Sequence, residues 1–179
     1  VVPHGRVECP DGRIDWPKSA QRMSVLGFDD SLAASEDVVL DGIAVRVATG
    51  PAQAVLKLNA YLDRRDRGTT HDLEDFDFML RTYGDLPGVE RRIYDEAGER
   101  IRDGILEVAD AGAWLLGCDA GKLFAERTLR RIAAELVDVG PYDPIIDERV
   151  PRGLTDADDR RKRQEAVQRF RAFRDGLFP

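Results

Sequence analysis

The stretch KLNAYLDRRDRGTTHDLEDFDFML, residues 57–80, contains two helical patterns separated by a short polar break. In the second pattern Leu73, Phe76 and Leu80 recur at spacings of three and four, which predicts a helix with one buried face. The break RDRGTT, residues 65–70, is rich in turn-forming residues. A connection this short predicts that the two helices pack as an antiparallel pair.

The charges of this stretch allow two interpretations. Lys57 and Arg64 are seven residues apart, so both leave the same side of the first helix, and Asp72 and Asp75 open the second helix. Together they could bind phosphate, with the carboxylates orienting the cations. Alternatively, the acids only favour the positive end of a helix dipole and the cations are solvated. Spacing alone favours the solvated surface, because such patterns are common on exposed helices.

Before this stretch the sequence predicts a sheet, in residues 1–50. Asp41-Gly42 separates two runs rich in Val and Ile, which predicts a hairpin over residues 36–49. Residues 22–28 (RMSVLGF) are expected to form a short buried strand. The chain opens on Val1 and Val2 without an initiator Met, so we expect it to start within a strand of a longer protein.

After residue 50 the sequence predicts helices. Gly50-Pro51 begins a helix that extends to about residue 65, and residues 88–103 form a third helix after Pro87. Residues 105–138 predict two more, split around GCDAG, with small residues that permit close helix packing. We therefore expect an α+β fold with a helical region at 51–138. A linker and a C-terminal helix follow at 139–179, and the apolar face of that helix comprises Val167, Phe170, Phe173 and Leu177.

The composition is that of a folded, charge-rich protein, with 42% hydrophobic and 34% charged residues. The net charge of -7 argues against a protein that mainly coats nucleic acid, and the basic run at residues 160–164 is expected to be a solvated helix start. Cys9 and Cys118 predict neither a zinc site nor a disulfide framework. With no signal peptide or membrane span in the sequence, we expect a cytoplasmic location.

Several segments together resemble one protein family. They are VVPHG, IDWP, MSVLGFDDS and VLDGIAVRVATGPAQAVLKLNAYLDRR, followed by HDLEDFDFMLRTY. In this order they resemble bacterial nucleotidyltransferase-like proteins of the polymerase-β-type superfamily, nearest to the AbiEii-like toxins of abortive-infection toxin–antitoxin systems. The resemblance spans roughly the first three quarters of the chain and rests on the order of elements more than on any single motif.

The resemblance implies roles for the charged stretch. Lys57 and Arg64 match a Lys and an Arg that lie near the phosphates of a nucleoside triphosphate, and Asp72 and Asp75 match two supporting acids. His71 stands where the family has a Lys or Arg. The resemblance also implies a nucleotidyltransferase-type mixed sheet, Mg²⁺ as cofactor and a cognate antitoxin as partner.

The acids that hold the metal in this superfamily are expected before Val1, so no catalytic residue is assigned within the chain. A full-length protein would transfer a nucleotidyl group to a hydroxyl acceptor, which the sequence does not identify. The alternative is a non-catalytic module that binds a nucleotide or a partner protein.

Other residues carry weaker signals. His4 lies in a turn and is either a pocket residue or structural. Asp29 and Asp30 predict a turn or a helix cap. Trp16 and Trp114 are expected to be packing residues, although Trp16 could instead stack on a base.

Overall fold

A computed structural model describes residues 12–16, 22–64, 71–138 and 156–179. Helices account for most of this part, and two small antiparallel sheets precede the longer helices, so the predicted α+β class is confirmed. The elements in chain order are β1 (Arg13–Asp15), β2 (Arg22–Ser24), α1 (Phe28–Ala33), β3 (Glu36–Leu40), β4 (Ile43–Val47), α2 (Gly50–Arg64), α3 (His71–Thr82), α4 (Val89–Glu96), α5 (Gly98–Arg102), α6 (Ala111–Leu123), α7 (Glu126–Asp138) and α8 (Asp156–Leu177). Short 3-10 turns occupy Tyr83–Asp85 and Val108–Asp110.

The predicted hairpin is present. Strands β3 and β4 pair antiparallel, and Leu40 faces Ile43 across the Asp41-Gly42 turn. Both turn residues have positive φ, 50° for Asp41 and 80° for Gly42. This backbone matches the right-handed twist of the strands and explains why an Asp-Gly pair directs the turn.

The remainder of the predicted sheet differs from the expectation. Within the described residues the four strands form two separate two-stranded sheets, β1–β2 and β3–β4, and not one mixed sheet. The predicted strand at 22–28 ends at Ser24. Gly27, at a φ of 85°, is the N-cap of α1, and a Cβ there would overlap the ring of Phe124. The chain therefore bends at Gly27, because only glycine fits both this φ and this close approach.

The core forms where α2 and α3 pack together and against α6. The face predicted for α3 is buried, as is the inner face of α2; the residues are Leu58, Leu62, Leu73, Phe76, Leu80 and Tyr83. Each such side chain contributes roughly 1.5–3 kcal/mol relative to full exposure. The predicted packing of these two helices against each other is therefore confirmed.

The C-terminal helix α8 packs along α6. Phe173 lies edge-on to Phe76 with ring centroids 5.1 Å apart, and Phe170 lies 5.8 Å from Phe76. Gly117 of α6 and Gly176 of α8 let the two backbones touch, because a Cβ on either would overlap a carbonyl oxygen of the other helix. The predicted apolar face and the close approach through small residues are thus both present.

Two predicted helix boundaries are wrong. The segment 88–103 is interrupted at Ala97 and gives α4 and α5 instead of one helix. GCDAG, residues 117–121, lies inside α6, and the break falls instead at Phe124 and Ala125. Glycine usually weakens a helix. At position 117, however, a side chain would overlap the backbone of α8, which covers this part of α6.

Largely buried ion pairs connect α8 to α3 and to the start of α6. Arg169 of α8 lies 3.9 Å from Asp77 of α3 and 4.0 Å from Asp110, at the start of α6. Burial raises the pKa of Asp110, and the charge of Arg169 opposes that rise. The arrangement joins three elements around one guanidinium, which suits the planar, multiply donating Arg side chain.

Some predictions fall outside the described residues, namely His4, Cys9 and the linker at 139–155. None of the helices in the described part of the chain combines the length and the apolar character that a membrane crossing requires. The basic run at 160–164 lies in α8 and is exposed, as predicted for a solvated segment.

Candidate functional site

The predicted cations meet at a single carboxylate. Asp72 Oδ1 lies 3.2 Å from Lys57 Nζ, and Asp72 Oδ2 lies 3.2 Å from Arg64 Nη2. Lys57 and Arg64 are two turns apart on α2, and the first turn of α3 brings Asp72 between them. The expectation that cations and acids share a neighbourhood is therefore met by direct contacts.

The second acid, Asp75, has a different environment. Its Oδ2 lies 2.6 Å from Lys57 Nζ. The Asp75 side chain is 58% exposed, whereas that of Asp72 is 15% exposed. The hydrogen bond that Lys57 donates to Asp75 is the largest cause that raises the pKa of Lys57, with Asp72 adding to it and burial opposing it, so Lys57 is charged at neutral pH. An exposed ion pair contributes little stability, so Asp75 is the more easily displaced partner of Lys57.

Lys57, Arg64 and Asp72 border a cleft of about 190 Å³ between α2, α3, β2 and the start of α1. Helix α2 presents three parallel stripes to it, because residues seven apart lie within about 20° of each other and residues four apart within about 40°. Lys57 and Arg64 form the cationic stripe, and Leu56 and Ala60 form an apolar floor. Asn59 and Asp63 form the third stripe, on the other side of that floor. Met23 and Phe28 add apolar surface.

The third stripe is joined to strand β2. Asn59 Nδ2 donates to Ser24 Oγ at 3.1 Å and to the Leu26 carbonyl at 3.2 Å. The Ser24 backbone N–H donates to Asp63 Oδ2 at 3.1 Å. These bonds fix the wall of the cleft opposite the cations, so one side of the cleft carries Lys57 and Arg64 with their paired carboxylates and the other side is built from acceptor groups.

The sequence did not identify this third stripe. Ser24, Asn59 and Asp63 were part of no predicted site, although Asn59 and Asp63 are four apart on a helix whose other faces were assigned. A polar Asn in the middle of an otherwise apolar helical face is a signal that could have indicated them. Their partner Ser24 is 35 residues from Asn59 in the chain, and no local pattern predicts that contact.

The other candidates lie away from the cleft. His71 is 90% exposed and lies 3.5 Å from Glu74, so it does not line the cleft. Trp16 is half-buried and is not among the cleft residues. Asp29 and Asp30 lie in the first turn of α1, whose N-cap is Gly27 without a side-chain hydrogen bond, so the predicted turn or cap is wrong. Asp30 instead accepts a hydrogen bond from Thr128 Oγ1 at 2.6 Å and joins α1 to α7.

The described residues do not fit a magnesium ion. No group of three or more His, Cys, Asp or Glu side chains in this part of the chain is arranged to hold a metal. Mg²⁺ prefers octahedral oxygen coordination, with one or two carboxylates and substrate phosphates. Asp72 and Asp75 instead contact Lys57, and Asp72 also contacts Arg64.

A second, larger cleft of about 280 Å³ lies between α5, α6 and α8 and contains no predicted ligand residue. Trp114 packs there against the core, and the guanidinium of Arg100 stands 5.4 Å from its ring centroid. Trp114 is thus a packing residue, as predicted. Burial raises the pKa of the nearby Cys118 thiol, which disfavours a nucleophilic thiolate.

The fold and the site define an α+β protein with a charged cleft between a helical hairpin and a short strand. Comparisons with protein-family models, curated proteins and solved structures find no match to this chain.

Proposed function

We propose that this chain is the nucleotide-binding part of a nucleotidyltransferase-like protein and that the cleft binds the phosphates of a nucleoside triphosphate. The full reaction would transfer a nucleotidyl group to a hydroxyl acceptor. The proposal joins the family resemblance of the sequence to the position of the two cations at one cleft.

The observation that supports the proposal best is the shared carboxylate. Asp72 holds Lys57 and Arg64 side by side, at 3.2 Å from each. Arg can donate to two phosphate oxygens at once, and Lys adds a compact positive charge. An incoming phosphate competes with the exposed Asp75 for Lys57, while Asp72 keeps both cations in place.

We assign binding and orientation to these residues, and no catalytic step. Nucleotidyl transfer in this superfamily uses metal-bound carboxylates that activate the attacking hydroxyl and neutralise developing charge. The described residues supply no such group. A second candidate is a nucleotide-binding module without turnover, which would use the same cleft and in which Asp72 and Asp75 serve only to hold the cations.

Calorimetric titration with ATP and with tripolyphosphate tests the proposal. We expect Lys57→Ala to weaken the binding of both ligands by about tenfold or more, since a charged hydrogen bond to phosphate is lost. Lys162→Ala is the matched control, because Lys162 is exposed on α8, and it should bind as the unchanged protein does.

Two results would contradict the proposal: no binding by the unchanged protein, or equal binding by Lys57→Ala. Incorporation of labelled nucleotide by the full-length protein and its Lys57→Ala variant then separates the two candidates. Lys57-dependent labelling supports the transferase, and binding without labelling supports the module.

A further inference from the structure

The wall of the cleft opposite the cations offers acceptor oxygens. Asn59 uses both hydrogens of its amide in bonds to Ser24 Oγ and the Leu26 carbonyl, which leaves its carboxamide oxygen as its remaining polar atom. Asp63 accepts the Ser24 N–H through Oδ2, which leaves Oδ1. A ligand group that meets this wall must therefore bring O–H or N–H donors.

The wall is also held in position. Asn59 is 4% exposed, and its two bonds fasten it to β2 and the following turn. Asp63 carries a negative charge, so the anionic end of a ligand is repelled from this side and attracted to Lys57 and Arg64. The two sides of the cleft thus impose one orientation on a ligand that has an anion at one end and hydroxyl donors at the other.

The dimensions suit a sugar phosphate. The cationic stripe and the Asn59–Asp63 stripe lie on either side of the apolar floor that Leu56 and Ala60 form on the same helix, α2. A cleft of about 190 Å³ is smaller than the sites that enclose a whole drug-sized ligand, so it accommodates a sugar and its phosphate more readily than a complete nucleotide. Carboxylates that accept hydrogen bonds from ribose hydroxyls are a recurrent means of sugar recognition.

Building on the proposed function, we infer that Asn59 and Asp63 accept hydrogen bonds from the ribose hydroxyls and make the cleft selective for ribonucleotides. Lys57 and Arg64 bind the phosphates, Leu56 and Ala60 lie under the sugar, and Asp63 discriminates against nucleotides that lack the hydroxyls. Asp63 and Asn59 are binding residues in this scheme and take no part in bond making.

The affinities of the whole chain for ATP, 2′-deoxy-ATP, 3′-deoxy-ATP and 2′,3′-dideoxy-ATP test the inference. We expect ATP to bind about tenfold more tightly than dideoxy-ATP, because the latter leaves the Asp63 carboxylate without a donor. Asp63→Asn retains an oxygen for the Ser24 N–H but loses the charge, and it should reduce this ratio to about twofold or less. Lys57→Ala should weaken all four ligands equally and leave the ratio unchanged.

The outcomes separate the inference from the proposed function. Lys57-dependent binding with equal affinity for ATP and dideoxy-ATP overturns the inference and leaves the function standing. Absence of nucleotide binding overturns both. If the sugar hydroxyls have no effect but removal of the adenine amino group weakens binding, the acceptors face the base and the inference is wrong. Should Asp63→Asn fail to fold, the comparison of ATP with dideoxy-ATP on the unchanged protein still decides.

Discussion

At the scale of single residues, the two acids that face Lys57 have opposite roles because their exposure differs. Asp72 is largely buried and contacts two cations, so it determines where their charges lie. Asp75 is mostly exposed and contacts only Lys57 among the partners that the structure shows. The sequence alone does not distinguish Asp72 from Asp75, because both are acids in the first turns of one helix.

This difference predicts opposite effects of two isosteric substitutions. Asp75→Asn should raise the affinity for tripolyphosphate several-fold, because an exposed counter-ion that competes with phosphate is removed. Asp72→Asn should lower it, because Lys57 and Arg64 lose the carboxylate that orients both. Titration calorimetry at low and high salt measures both effects, and the gain from Asp75→Asn should shrink at high salt.

Asp37→Asn is a suitable control for this pair, since Asp37 is exposed on β3 and lies 3.8 Å from Arg46, away from the cleft. It should leave the affinity unchanged. The assigned roles are wrong if Asp72→Asn and Asp75→Asn shift the affinity in the same direction.

At the scale of elements, the β3–β4 hairpin contributes little to the core. One face carries Val38, Leu40, Ile43, Val45 and Val47 as cross-strand neighbours, yet Leu40 is 58% and Ile43 66% exposed. A two-stranded hairpin has little stability of its own and here depends on its Asp-Gly turn and on cross-strand pairs. The alternating pattern in the sequence therefore predicts the strands correctly but not the exposure of their apolar face.

We expect Ile43→Thr to change the free energy of unfolding by no more than about 0.5 kcal/mol, because the side chain is exposed and Thr also favours strands. Leu58→Ala, in the fully buried face of α2, should cost roughly 2–5 kcal/mol. Urea denaturation followed by circular dichroism measures both. A cost above about 1 kcal/mol for Ile43→Thr would mean that this face is covered in solution.

At the scale of the whole molecule, the packing of α8 against α6 completes the hydrophobic core. The two helices make the most extensive contact between elements, and glycines at Gly117 and Gly176 allow their backbones to touch. Helix α8 also supplies Phe170 and Phe173 to the ring cluster around Phe76. The core against which α3 packs, and which thereby positions Asp72, is therefore complete only when α8 is packed in place.

Gly117→Ala should destabilise the protein by at least about 2 kcal/mol, because the added Cβ overlaps the Phe173 carbonyl oxygen and the helices must separate. Gly98→Ala is the matched control, since a Cβ at Gly98 meets no atom within 4 Å and its φ is not positive. The control should be neutral or slightly stabilising. Thermal unfolding measures both, and equal midpoints for the two variants would contradict this account of the interface.

Much of the fold could be predicted because it follows from local periodicity. The spacing of Leu73, Phe76 and Leu80 predicts α3 and its buried face, and Asp41-Gly42 predicts the hairpin. The predictions were wrong where a contact between residues distant in sequence, and not the local pattern, determined the structure. The predicted strand stops at Ser24, and the chain turns into α1 at Gly27, which lies against Phe124. Gly117 lies inside a helix whose backbone α8 covers at that point.

The candidate site divides in the same way. By itself the sequence determined that Lys57, Arg64, Asp72 and Asp75 lie on two adjoining helices, because residues seven or three apart share a helix face and a short connection pairs the helices. Only the tertiary structure decided that Asp72 holds both cations while Asp75 stays exposed, and that Asn59 and Asp63 complete a cleft with Ser24. The physical reason is that helical periodicity is a local property of the backbone, whereas burial and the pairing of distant groups depend on how the elements pack.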